Sequence, residues 1–153
     1  MDILGIDPSP DGKHCCVIKA GCGRHVVWTY PMFEDHAWNV QVIVLELPCP
    51  QGIRSQNKNY TRLCIEYGKL LHNLQQLYPD ARIFEVPANV IRQQAGWNSR
   101  SGIRADKYIT DYLQRLGYKT GKGTLFKSTH SRDALMCALF NWSDVHNSIY
   151  EVK

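Results

Sequence analysis

Three carboxylates and one imidazole stand out by their surroundings. Asp7 closes the short apolar run DILGID, Glu46 lies inside VIVLELP, and His130 and Asp133 sit three residues apart in THSRDALMCALFNW. A carboxylate embedded in an apolar strand is costly unless it is paired, protonated or bound to a cation. Brought together at one end of a sheet, the four groups would form an oxygen-rich acidic pocket suited to hard divalent cations, Mg²⁺ or Mn²⁺. Two such ions roughly 4 Å apart serve in-line displacement at phosphorus, one activating the attacking water and the other stabilising the leaving oxygen. Asp7 is the candidate bridging ligand. His130 either ligates one ion or shuttles a proton beside the attacking water, and both roles need a neutral ring. Activity is therefore expected to fall below about pH 6.5. Simpler readings stand beside these: a helix start with Thr129 or Ser131 as N-cap and Asp133 against the dipole, and Asp7 or Glu46 satisfied by a lysine or by backbone donors.

The elements that must position these groups follow from local pattern. DILGID reads as a short buried strand stopped by Pro8, and KHCCVIKA and RHVVWTYP continue it as a meander. EDHAWNV is expected to be a short crossover helix. VIVLELP, residues 42–48, has the continuous branched run of a strand covered on both faces. CPQGIRSQNK is a loop, and Leu63, Tyr67, Leu70, Leu71, Leu74, Leu77 and Tyr78 trace an amphipathic helix of about five turns. ARIFEVP is a further strand. Ala105, Ile109, Tyr112, Leu113 and Leu116 mark a second helix ended by Gly117, YKTGKGTLFKST is a basic loop, and an apolar helix reaching Trp142 closes the chain. Three antiparallel strands followed by strand–helix alternation predict a single domain, residues 1–153, with a mixed α/β five-stranded sheet flanked by helices. That order fits the RNase H-like arrangement.

Composition constrains the setting. The 153 residues suffice for one domain with a sizeable core, and the net charge of +4 permits a polyanionic partner without requiring one. Cys15, Cys16, Cys22, Cys49, Cys64 and Cys137 show neither C-x-x-C pairs nor framework spacing, which favours free thiols in a cytoplasmic setting. The start MDILGID has no signal-peptide pattern and no segment suits a membrane span. GYKTGKGT resembles a phosphate-binding loop, but Gly117 and Gly121 bracket only three residues and follow a helix, so a nucleotide site there is rejected.

Four motifs in order give a resemblance. GIDPSPDG, VIVLELP, FEVPANVIRQQAGWNSRSGIRADKYI and HSRDALMCALF are similar to the corresponding segments of the RuvC-type Holliday junction resolvases, of the short kind found in phages and other viruses. The resemblance covers most of the chain. It implies an RNase H-like fold, catalysis and metal binding by Asp7, Glu46, His130 and Asp133 with two divalent ions per active site, a homodimer, and a four-way DNA junction as partner. It places Lys107 on the lysine that meets DNA phosphate, and makes Glu85 structural. The region before Glu46 is shorter than usual in the family. After Glu46, where some relatives carry a base-stacking aromatic, stand Leu47, Pro48 and Cys49, and Tyr60 is the candidate at the other end of that loop.

For such a substrate, phosphate contacts supply position and salt-dependent affinity. The candidates are Arg54 and Lys58 after Glu46, Arg92, Arg100 and Arg104 before the second long helix, and Lys119, Lys122 and Lys127 in the basic loop. Each is equally readable as a solvated charge. Trp97 is either a stacking platform for a base or sugar or a packing tryptophan. The face of the long helix bearing Cys64, Ile65 and Gly68 is the expected dimer contact. The function expected is resolution of four-way junctions by paired phosphodiester hydrolysis. A related nuclease acting on flaps, branched intermediates or RNA–DNA hybrids, and a non-catalytic DNA-binding module, are the alternatives.

Overall fold

In the strands, side chains alternate between the two faces of the sheet, and this parity decides which groups meet. The computed structural model describes residues 1–30, 39–48, 58–141 and 150–152. Strands β1 (Asp2–Asp7), β2 (Cys15–Lys19) and β3 (His25–Thr29) form the antiparallel meander. Strand β4 (Val40–Leu47) lies parallel to β1, and β5 (Arg82–Pro87) parallel to β4. The five strands expected from the sequence are all present. A two-residue strand, β6 (Tyr150–Glu151), adds antiparallel at the β5 edge, giving the order β3-β2-β1-β4-β5-β6.

Among the described residues, four helices flank the sheet: α1 (Lys58–Leu77), α2 (Ala88–Gln94), α3 (Ala105–Arg115) and α4 (Thr129–Ala138). Helix α1 lays Tyr67, Leu70 and Leu74 on one face, over Leu4, Ile6, Ile43, Leu45 and Ile83. Val42, Val44, Phe84 and Val86 point the other way, into a core shared with α2, α3 and α4. The continuous apolar run of β4 is thus explained by burial on both sides.

Several sequence expectations need adjustment. Helix α2 was not foreseen; its seven residues bury only Val90 and Ile91 and give too little periodicity to be seen. Helix α1 includes Lys58 and Asn59 ahead of the start expected at Tyr60, so Tyr60 lies in its first turn. Helix α4 ends at Ala138, before Phe140, and Trp142 lies outside the described residues. The proposed crossover helix in EDHAWNV lies almost wholly outside them too, as do Arg54 and most of CPQGIRSQNK. Cys15, Cys16, Cys22, Cys64 and Cys137 are free thiols.

Candidate metal centre

Parity and register bring two of the acids together. Asp7 lies on the same side of β1 as Gly5, and Glu46 on the same side of β4 as Val42 and Val44, the face covered by α4. The parallel pairing aligns Ile6 with Leu45, so Asp7 and Glu46 follow as neighbours at the carboxyl ends of adjoining strands. Glu85 is out of phase. It points to the α1 face, where the Tyr67 hydroxyl donates to its Oε2 at 2.5 Å. Its structural reading agrees with that contact.

The third acid arrives on α4, and Gly5 lets it. A Cβ at Gly5 would fall on the Ala134 carbonyl oxygen and the Ala138 amide nitrogen, so only glycine allows the helix this close to β1. Asp133 stands immediately before Ala134. The Cys137 thiol, one turn further on, donates to the Ile6 carbonyl at 3.6 Å. One carboxylate oxygen from each of Asp7, Glu46 and Asp133 lies within 4.8 Å of the others.

The start of α4 is secured by other groups. The N-cap is Ser128, not Thr129 or Ser131: its Oγ accepts from the Ser131 amide at 3.0 Å, while the Ser128 amide donates to Ser131 Oγ at 3.2 Å. This reciprocal box satisfies the orphan donors and leaves Asp133, a turn further in, for another purpose. Buried Arg132 grips the same end. Its guanidinium donates to both oxygens of Asp106 at 3.2 Å, to the Lys127 carbonyl at 2.9 Å and to the Phe126 carbonyl at 3.2 Å. The first turn of α3, where Asp106 lies, is thereby tied to α4. In sequence, Arg132 is one more charge beside Asp133, and its partner 26 residues away gives no local signal.

His130 lies beside the acid triad. Its Nδ1 is 2.7 Å from Asp7 Oδ2, and its side chain is 73% exposed while that of Asp7 is 10% exposed. The hydrogen bond that the ring donates to Asp7, with the surrounding negative charge, holds the imidazole above its ordinary value, although partial burial opposes this. The pH below which the neutral ring is lost therefore lies above the ordinary imidazole value, and the fall in activity expected below about pH 6.5 moves upward with it.

Electrostatics test whether the triad suits a cation. Burial, followed by the charges of Asp7 and Asp133, pushes Glu46 up to about 8, against the opposing influence of Arg92 and His130. Burial and then Asp7 push Asp133 up to about 7, again opposed by Arg92. Three acids this close cannot all ionise cheaply without positive charge among them. Hard oxygen donors with raised proton affinity fit a divalent cation, whose charge would replace the retained protons.

Two clefts flank the triad, and Arg92 on α2 lines both. The smaller, about 170 Å³, contains Asp7, Glu46, Leu63 and Ala88, whereas the larger, about 480 Å³, contains Asp133, Trp97, Ile103 and Arg104. Half-buried Trp97 carries the Arg92 guanidinium 5.8 Å from its ring centroid. The remaining cations are more dispersed. Lys107 is exposed and paired with Asp111 at 3.7 Å; Lys58, Arg100, Lys119, Lys122 and Lys127 are exposed, and with partly buried Tyr60 they line neither cleft.

A solved structure of T. thermophilus RuvC in complex with Holliday junction substrate is similar to this chain with a TM-score of 0.57, covering 91% of each chain at 16% sequence identity. The fold is RNase H-like. No protein-family model and no curated protein sequence matches the chain significantly. On this RNase H-like sheet, the acid triad occupies the carboxyl ends of parallel β1 and β4, where open α/β sheets gather ligands. Among the described residues, no helix is long and apolar enough to cross a membrane.

Proposed function

We propose that this chain forms a single-domain, metal-dependent, structure-selective endonuclease that resolves four-way DNA junctions by paired phosphodiester hydrolysis. The observation that carries the proposal is the convergence of Asp7, Glu46 and Asp133 beneath α4. A binding module would gain nothing from three acids facing DNA phosphate, because they repel it unless a cation intervenes. Asp7, Glu46 and Asp133 would hold Mg²⁺ or Mn²⁺, with His130 as a further ligand or a proton acceptor. Two bound ions would supply an activated water and charge stabilisation at the leaving oxygen.

The chain's own groups have separable tasks. Asp7 orients His130 through Nδ1, leaving Nε2 to accept a proton. Arg92 stands between the clefts and holds a phosphate oxygen against the triad. Arg104 extends the cationic wall of the larger cleft, while Lys58, Arg100, Lys107, Lys122, Lys127 and Arg54 contact phosphates further along the arms. Tyr60 is the proposed junction wedge. A junction has approximate two-fold symmetry and needs two cuts, which favours a homodimer acting in the cytoplasm. Its proposed contact is the outer face of α1, where Ile65 is exposed beside Cys64 and Gly68.

The test compares cleavage of a labelled four-way junction with matched duplex, flap and RNA–DNA hybrid in Mg²⁺, Mn²⁺ or chelator. Metal-dependent cutting confined to the junction is expected. Preferential cutting of flaps or hybrids would overturn the junction assignment, and binding without metal-dependent cutting would overturn the nuclease assignment.

A further inference from the structure

The larger cleft holds features that a metal centre does not require. Its walls combine the Trp97 ring with Ile103, an isoleucine 46% exposed within an otherwise polar connection, above the buried side chain of Ile109. Arg92, whose guanidinium lies 5.8 Å from the Trp97 ring centroid, and Arg104 add positive charge at the same cleft, while Asp106 on its wall is paired with Arg132. Asp133 belongs both to this wall and to the acid triad, so the two sites are continuous.

The connection between α2 and α3 is built to hold these walls in place. Asn98 Oδ1 accepts from the Arg100 amide at 2.9 Å, and its carbonyl accepts from the Ser101 amide at 3.2 Å. Ser101 Oγ then bonds both backbone groups of Ile103, accepting from its amide at 3.3 Å and donating to its carbonyl at 3.2 Å. Gly102 supplies the left-handed turn between them, with φ of +68°. Ile103 is thus presented by a defined turn. A volume of about 480 Å³ lies toward the lower end of ordinary small-ligand clefts, adequate for one nucleotide and too small for a duplex.

We infer that the cleft between α2 and α3 is a nucleobase subsite, in which Trp97 and Ile103 receive one unpaired base of the nucleotide next to the cleaved phosphate. Apolar walls suit the faces of a base, and the two arginines suit its flanking phosphates. A base within a duplex has its faces covered by its neighbours, so entry requires a nucleotide that has left the stack. The resulting contact would give a nuclease otherwise directed by DNA shape a preference for position, and for base type according to stacking strength. This inference rests on the nuclease reading for the position of the base, while the binding of a base can be tested without cleavage.

The experiment measures equilibrium binding of wild type, Trp97→Ala and Ile103→Ser to four-way junctions in chelator. A single abasic site is stepped through the nucleotides on each side of the crossover, and cuts are mapped separately with Mg²⁺. One abasic position should weaken wild-type binding about tenfold, matching the loss of one stacked base. Trp97→Ala should bind the intact junction about tenfold more weakly and be insensitive at that position. Ile103→Ser, altered at the more exposed wall, should show the same insensitivity in milder form and decides the matter if Trp97→Ala fails to fold. Equal abasic losses in wild type and variants, or no sensitive position, would overturn the subsite. A sensitive base remote from the mapped cut would overturn its placement beside the cleaved phosphate. If wild type cuts flaps or hybrids instead, the junction reading fails by itself, and the same scan on that substrate decides the subsite.

Discussion

Glu46 and Glu85 lie one register step apart on neighbouring strands, yet one faces the acid triad and the other the Tyr67 hydroxyl. At this scale, proton affinity provides the sharpest tests. Glu46 and Asp133 have folded-state values raised above those of free carboxyls, so the folded chain retains protons that the unfolded chain has released. Burial pushes His14 and His25 down, so they act in the opposite sense below about pH 6.5; stability of the metal-free protein should therefore fall as pH rises from about 6.5 to 8. His130 acts in the same direction, since its raised value makes its contribution one that is lost as pH rises through the folded value. Thermal unfolding in chelator should show Tm decreasing across this window, with Mg²⁺ or Mn²⁺ raising it more at pH 8 than at pH 5. A flat or rising metal-free profile would contradict the crowding of the acids. Glu46→Gln should raise metal-free stability at pH 8 by roughly 1–2 kcal/mol, while abolishing metal-dependent cleavage. Denaturant unfolding and a cleavage assay on the same variant check both halves.

At the scale of elements, the position of α4 determines whether a triad exists. Gly5→Ala should force the helix away from β1 and cost more than about 3 kcal/mol, because the added methyl meets backbone atoms that cannot rotate aside. Near-native stability and activity in that variant would refute this packing account. Arg132→Ala should destabilise by roughly 2–3 kcal/mol through loss of charged hydrogen bonds, and Arg132→Lys should recover only part, since lysine lacks the guanidinium fork. Urea unfolding distinguishes these outcomes. The five main strands and three longer helices were legible because their apolar patterns are local. Asp7 and Glu46 were conspicuous for the same reason, as acids framed by strand residues. The Arg132 clamp, the Ser128 cap and the closeness that Gly5 permits were not, because each depends on geometry that residue spacing alone does not report. Helix α2, short and half-buried, hid the fact that Arg92 would stand beside both clefts.

For the whole molecule, the RNase H-like sheet offers two unlike faces. One carries α4 and the triad; the other is covered by α1, whose outer surface leaves Ile65 exposed. If that surface joins two copies, Ile65→Asp should yield monomers in sedimentation at micromolar concentration and replace paired cuts by single nicks. An unchanged dimer would move the interface elsewhere. The most direct test of the central claim uses a supercoiled plasmid with an extruded cruciform, incubated with wild type or Asp7→Asn in Mg²⁺. Wild type should linearise it by paired cuts across the junction, while Asp7→Asn should bind the cruciform and leave the plasmid supercoiled. Linearisation by Asp7→Asn, or persistence of supercoiled plasmid with active, bound wild type, would contradict junction resolution by this acid centre.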